Sequence, residues 1–471
     1  MKQFCISICL VLAFTISYSQ KAPGNNSLAA KVDPRVELIA IMARLAGLGG
    51  YDSKAFKLYT DDINKHFAKD SLHPAILHLK ELGKKHGLGY DAVMFMPIYL
   101  NYPSFTPKVN FSSNIPHARW TKEGAEKFVP LLQQFYNDTK FNSFFNAHKD
   151  MYAETEKRFQ GILSQVDLDW FPKFFGYQPK GKFSVFLSLL NGTFLYGPKV
   201  EYPNGTEELY AIMPNYKTDS LGMPVFEQWR LKPLIIHEFS HSFINHLFIK
   251  DSLAIKPYGE KIYKQVESEM NNNYYGNWLI TLYESQIRAS VIRYQMKHDT
   301  TNFKIKQAIE EENRLGFIWI EDLVALLGVY ENNRKQYPTF TSFFPHIKSY
   351  VKDLSENMDY KFQRHADNLP KLLTTFPIAN DTTDVDPSVK ELTLVFDKPM
   401  QGYSFNWTDL GRDHFPIDGI IGWDKTNTQF TLKLKLKPNW NYEMIILKQG
   451  FKIKSGYSSI KEDILFKFKT K

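Results

Sequence analysis

Within the stretch Leu234–Phe243, three side chains have the types and spacing for metal-assisted hydrolysis: His237, Glu238 and His241, an HExxH pattern. Two histidines four residues apart on an α-helix are separated by about 400° of rotation, so both imidazoles leave one face and can ligate one ion. Glu238 lies about 100° round from His237. It is off the ion but within reach of a water on it, where a general base belongs. A catalytic zinc site takes a third protein ligand and keeps its fourth position open. Glu284 fits that role as an acidic residue in the otherwise apolar stretch Trp278–Tyr294, with Arg288 one turn later to hold its second oxygen. Glu260, Glu267 and Glu269 lie on a more polar stretch and read as solvated. The competing structural readings are an ion pair of Glu284 with Arg288, and core histidines hydrogen-bonded to backbone with Glu238 at a surface. A three-histidine HExxHxxGxxH site is excluded. Positions 244 and 247 are Ile244 and Leu247, and His246 points about 140° away from the His241 direction.

The elements that must carry these groups are a buried helix and its neighbours. Pro233 reads as a first-turn proline, and Leu234, Ile235, Ile236, Phe239, Phe243, Ile244, Leu247 and Phe248 make the helix apolar. Burying two histidines and a glutamate there is costly unless something satisfies them, which a metal does. A second helix spans Trp278–Tyr294. Ahead of the first, residues 183–190 and 208–213 read as strands. Residues 208–213 stand where an edge strand could pair with an extended peptide, or could equally form an ordinary strand of the sheet. Near the N-terminus, Asp33-Pro34 opens a helix over 35–48 that Gly49-Gly50 ends; further helices are expected at 55–67, 74–86, 122–136 and 144–165. His66, His73, His78, His86, His117 and His148 are scattered without metal-site spacing. Residues 303–370 return to helix, and 377–386 shift to Asn, Asp, Thr and Pro. Beyond that linker, Leu392/Leu394/Phe396, Phe430/Leu432/Leu434/Leu436, Tyr442/Met444/Ile446 and Ile464/Phe466/Phe468 alternate as in a small β-sandwich.

The 471 residues are too many for one ordinary core. Residues 1–19, with Lys2 and an apolar run from Phe4 to Ile16, have the layout of a secretory signal peptide. Both cysteines, Cys5 and Cys9, fall inside it, so metal ligands in the mature chain are His and carboxylates. No later stretch is long and apolar enough to span a membrane. The net charge of +8 is spread without a dense basic block, which argues against a nucleic-acid partner.

The His237–His241 helix followed by Glu284 resembles the gluzincin class of zinc metallopeptidases, which implies Zn²⁺ held by two His and one Glu with the motif glutamate activating water. The stretch from about Val36 to Tyr350, with Val36-Glu37-Leu38 early and Tyr330-Glu331-Asn332-Asn333-Arg334 late, resembles a family of secreted bacterial proteins carried as a domain of unknown function. Asp386-Pro387-Ser388 with Leu394-Val395-Phe396-Asp397-Lys398-Pro399-Met400 is similar to bacterial Ig-like domains. Together these imply an α+β chain: signal peptide 1–19; a mostly helical zincin-like metallopeptidase domain 20–376 with a small antiparallel sheet; a linker 377–386; and an Ig-like β-sandwich 387–471. Within 20–376 the expected parts are helices at about 33–175, sheet and site helices at 180–300, and helices at 303–370. The expected function is secreted or cell-surface hydrolysis of a peptide or protein substrate, with metal ligands His237, His241 and Glu284 and catalytic Glu238. A non-peptide amide substrate, or a non-catalytic binding protein that keeps the zinc site, are the alternatives. Tyr274, Tyr275, Tyr294 and His246 are the candidate oxyanion donors.

Overall fold

The structure, a computed structural model, describes residues 28–179, 181–298, 302–454, 456 and 458–471. The expected signal peptide lies outside the described residues. After a short strand β1 (Ala30–Lys31), α1 (Pro34–Leu45) opens as expected, with the Asp33 carboxylate accepting from the Arg35 N–H and Pro34 in the first turn. It ends earlier than expected, where Gly47 takes a left-handed conformation (φ +68°). Then come α2 (Lys57–Phe67), α3 (Pro74–His86), α4 (Asp91–Ile98), α5 (Lys122–Asp138), α6 (Phe141–Ala147), α7 (Lys149–Leu163) and α8 (Trp170–Phe175). Apolar spacing explains these helices: α2 buries Tyr59, Ile63 and Phe67, and α5 buries Phe128, Leu132 and Phe135. The helix expected over 144–165 is two, meeting at His148.

A four-stranded sheet follows, with β2 (Gly181–Leu187), β3 (Lys199–Glu201) and β4 (Glu207–Met213) joining β1 in the order β1-β2-β4-β3. The expected antiparallel sheet is corrected here, because β1–β2 and β2–β4 are parallel pairs and β3–β4 alone is antiparallel. The cause is the connection. Residues 188–198 carry the chain back along the sheet before a hairpin through Asn204-Gly205 (Gly205 φ +80°) returns it as β4, now running with β2. Consequently β4 is an interior strand, and the edge belongs to β3 and the residues leading into it.

Next come α9 (Gln228–Lys250), α10 (Ser252–Asn272), α11 (Trp278–His298), α12 (Asn302–Arg314), α13 (Ile320–Asn332), α14 (Phe340–Glu356) and α15 (Met358–Asn368). Pro233 lies inside α9 and not in its first turn. Its missing N–H leaves one carbonyl unbonded, and the helix runs on because Leu231, Ile235, Ile236 and Phe239 are buried on either side of it.

The C-terminal expectation of an Ig-like β-sandwich is also corrected. The strands are β5 (Leu372–Phe376), β6 (Thr382–Val385), β7 (Glu391–Phe396), β8 (Met400–Gln401), β9 (Phe405–Asn406), β10 (Ile417–Trp423), β11 (Gln429–Leu434), β12 (Asn441–Ile446), β13 (Lys452–Ile453) and β14 (Ile464–Thr470). They form two open four-stranded sheets, β10-β11-β7-β5 and β6-β14-β12-β9, and a β8–β13 ribbon. No pairing joins one sheet to the other among the described residues, so neither closes or curls into the expected form. The stretch 377–386, read as linker, contributes β6, which pairs parallel with β14. Alternation reports which face of a strand is buried and says nothing of its neighbour, which is why the buried positions were legible and the pairing was not. Buried apolar side chains form two separate clusters, one drawn from residues 30–358 and the other from 378–468. Among the described residues, no helix is long and apolar enough to cross a membrane.

Candidate metal centre

The apolar face of α9 packs on an aromatic floor, with Phe243 stacked on Phe175 (ring centroids 4.5 Å apart) and Phe239 against Phe183 (4.3 Å). This turns His237, Glu238 and His241 into a cleft of about 810 Å³ between α9, α11 and the sheet edge. From α11, which packs along α9, Glu284 enters the same cleft. One ligand atom from each of His237, His241 and Glu284 lies within 4.8 Å of the other two. His237 Nε2 stands 3.3 Å from Glu284 Oε2, and His241 Nε2 stands 3.6 Å from Glu284 Oε1. Ligands about 2.1 Å from a tetrahedral ion are about 3.4 Å from each other, a spacing close to the one each imidazole holds to one oxygen of the Glu284 carboxylate. Among the described residues the buried Oε2 of Glu284 makes no hydrogen bond of good geometry, although it lies 3.3 Å from His237. A carboxylate held this close to two imidazoles is placed to share an ion with them. The cluster can therefore coordinate a metal ion.

Other residues hold these ligands. Asn245, one turn beyond His241, places its side-chain oxygen 3.2 Å from His241 Nδ1. That contact keeps the proton on Nδ1 and leaves the Nε2 lone pair for an ion. Arg288 is not primarily the ion-pair partner of Glu284, since its Nε lies 3.9 Å from Oε2. Instead the guanidinium donates to Glu312 (2.6 Å) and to the Tyr275 hydroxyl (2.6 Å) and lies over the Phe317 ring (4.8 Å). It is a fixed positive charge behind the carboxylate. Burial alone pushes the Glu284 carboxyl up, but His237, His241 and Arg288 outweigh it and hold the group down at about 2. Glu238 keeps part of its surface open to the cleft, yet desolvation by the surrounding walls raises its carboxyl to about 7; His241 opposes that shift and Glu284 adds to it.

The sheet edge meets the site at Gly197. A Cβ built there would run into the Glu238 carboxylate, so the glycine leaves that carboxylate its place beside the backbone. Tyr196 exchanges hydrogen bonds with Ile212 (3.2 and 2.8 Å), and the Pro198 carbonyl accepts from Tyr210 (3.0 Å). By strand alternation, the peptide groups of Gly197 and Lys199 face away from β4 along the open edge. Of the two readings open for 208–213, the ordinary sheet strand is the one found, and the edge belongs to 196–201.

Among the oxyanion candidates, Tyr275 and His246 line the cleft. Tyr274 is largely exposed away from it, and the Tyr294 hydroxyl accepts from the Asp167 N–H elsewhere. Sequence reasoning missed Gly197, Asn245 and Tyr283. The last two were open to it, one being a turn past a ligand and the other adjacent to Glu284.

Residues 28–350 match the family model described as "Domain of unknown function (DUF4932)", and since that span is more than half of the chain, the chain belongs to this family. No curated protein matches it. Among solved structures, it is similar to "Crystal structure of the S-layer protein rSbsC(31-844)", at 12% identity over 84% of this chain and 45% of that one, with a TM-score of 0.17. The chain spans less than half the length of that protein, and a likeness of this size carries no argument.

Proposed function

We propose that this chain is a secreted zinc-dependent metallopeptidase in which His237, His241 and Glu284 hold Zn²⁺ and Glu238 is the general base. The observation that carries the reading is the meeting, in one cleft, of ligand atoms from His237, His241 and Glu284 within 4.8 Å of one another, with a second carboxylate, that of Glu238, next to the first of them. Two imidazoles and one carboxylate suit zinc, which when bound would polarise a carbonyl oxygen and bring the pKa of a water near 7. The rest falls to the chain's own groups. The outward peptide groups of Gly197 and Lys199 receive an extended substrate as an added strand, beside Glu238. Glu238 takes a proton from water as the water oxygen bonds to the carbonyl carbon. It then gives that proton to the amide nitrogen as the C–N bond breaks, leaving a new carboxyl group and a new amine. Export through residues 1–19 and a division of the chain near 377–386 belong to the same reading, the division being supported by the two separate apolar clusters.

Elemental analysis of wild type, Glu238→Ala and Glu284→Ala, with a casein cleavage assay alongside, tests this. The expected result is stoichiometric zinc in wild type and Glu238→Ala, none in Glu284→Ala, and cleavage by wild type alone. A wild type without zinc overturns the proposal.

A further inference from the structure

Peptide hydrolysis puts negative charge on the carbonyl oxygen, and a hydrogen-bond donor aimed there strengthens as the charge develops. We infer that Tyr283 is a catalytic residue whose hydroxyl supplies that hydrogen bond. The inference rests on the peptidase reading above and adds a residue to it.

Five tyrosines line the cleft: Tyr177, Tyr196, Tyr210, Tyr275 and Tyr283. Tyr177 donates to the Phe243 carbonyl and Tyr210 to the Glu208 carboxylate. The Tyr275 hydroxyl is engaged by Arg288 and sits beside Glu284, where it supports the ligand. The Tyr196 hydroxyl is buried, turned towards Gly50. Tyr283 alone of the five is half-buried with its hydroxyl making no hydrogen bond among the described residues. Its ring meets the His241 ring edge-on, at 6.0 Å between centroids, and its backbone adjoins Glu284. It is therefore rigidly placed next to two of the three ligands, with a donor left over. Of the other polar side chains near the ligands, Ser242 donates to the Phe239 carbonyl, and Asn245 is turned by its oxygen towards His241 Nδ1. His246 is the remaining competitor, packed edge-on against Tyr177.

The test uses zinc-loaded full-length protein as wild type, Tyr283→Phe and His246→Gln. Zinc content is measured first, and then calorimetric affinity for a phosphinic pseudotripeptide with phenylalanine on either side of the phosphinate. That probe carries the tetrahedral shape and charge of the reacting carbonyl. Tyr283→Phe should keep its zinc and its KM for a cleaved peptide while binding the phosphinate about 10²-fold more weakly, with a matching fall in kcat. His246→Gln should bind it as wild type does. If Tyr283→Phe binds the phosphinate like a wild type that holds zinc and cleaves peptides, or if the loss appears in His246→Gln instead, the Tyr283 assignment is wrong while the peptidase reading stands. A wild type that holds zinc but neither cleaves peptides nor binds the phosphinate removes both.

Discussion

Two buried glutamates, each set in an apolar helix, meet opposite fates. Glu37 on α1 is fully buried, accepts a hydrogen bond from the Leu189 N–H (2.9 Å), and is lifted by desolvation to about 7. Glu284 on α11 is also buried, yet is held near 2 because His237, His241 and Arg288 surround it. In sequence the two look alike, a lone acid among apolar residues. The difference teaches that burial alone raises a carboxyl, whereas burial beside imidazoles and a guanidinium keeps it charged. What separates them is the company each keeps, two imidazoles brought by α9 and a guanidinium one turn along α11 for Glu284, and none of these for Glu37.

Four measurements break or sharpen that contrast. Replacing the fixed cation, Arg288→Met, strips Glu312 of its partner and Glu284 of one of the three groups that hold it down, and should cost about 3–5 kcal/mol in urea unfolding and weaken metal binding. For Glu37, a folded pKa of about 7 against an ordinary 4.5 means that the folded state holds the proton more tightly. Its contribution to stability is full below pH 4.5 and is lost as pH rises through 7. Wild type should therefore lose about 3 kcal/mol between pH 4.5 and pH 8 relative to Glu37→Gln, in which that dependence is absent. Gly197→Ala displaces the Glu238 carboxylate without touching a ligand. Zinc content should stay at the wild-type value and casein cleavage should fall about 10²-fold. The smallest effect is expected of Asn245→Ala, which frees the His241 ring and should lower zinc affinity about tenfold in a competitive chelator titration.

Legibility followed sequence distance. The His237–Glu238–His241 spacing is a property of one helix, so its geometry could be read without knowing any partner, and the structure keeps all three side chains in one cleft. Glu284 was chosen because it is an acid in an apolar helix with Arg288 one turn later; the first criterion Glu37 meets equally, and the packing of α11 on α9 is what brings the two imidazoles to Glu284. Strand order lay further out of reach. The segment 208–213 was legible as a strand but not as an interior one, because the return of the chain through 188–198 and the insertion of β3 leave no periodic trace. Gly197-Pro198 reads as loop punctuation in sequence and turns out to be the approach to the sheet edge. In the C-terminal region, Leu392, Leu394, Phe430, Leu432, Tyr442 and Met444 are all buried as their alternation implied. The parallel β6–β14 pair and the register shifts between Ile417/Gly419 and Ile420/Gly422 in β10 had no counterpart in that alternation.

The glycine at 197 has a consequence for what such a protein would digest. On the peptidase reading, an edge that offers only peptide N–H and C=O groups recognises backbone whose own groups are unspoken for. A native globular protein has already committed those groups within itself. The edge would therefore sort its targets by conformational state more than by side-chain identity, so that denatured or disordered chains are consumed while folded neighbours in the same medium are spared.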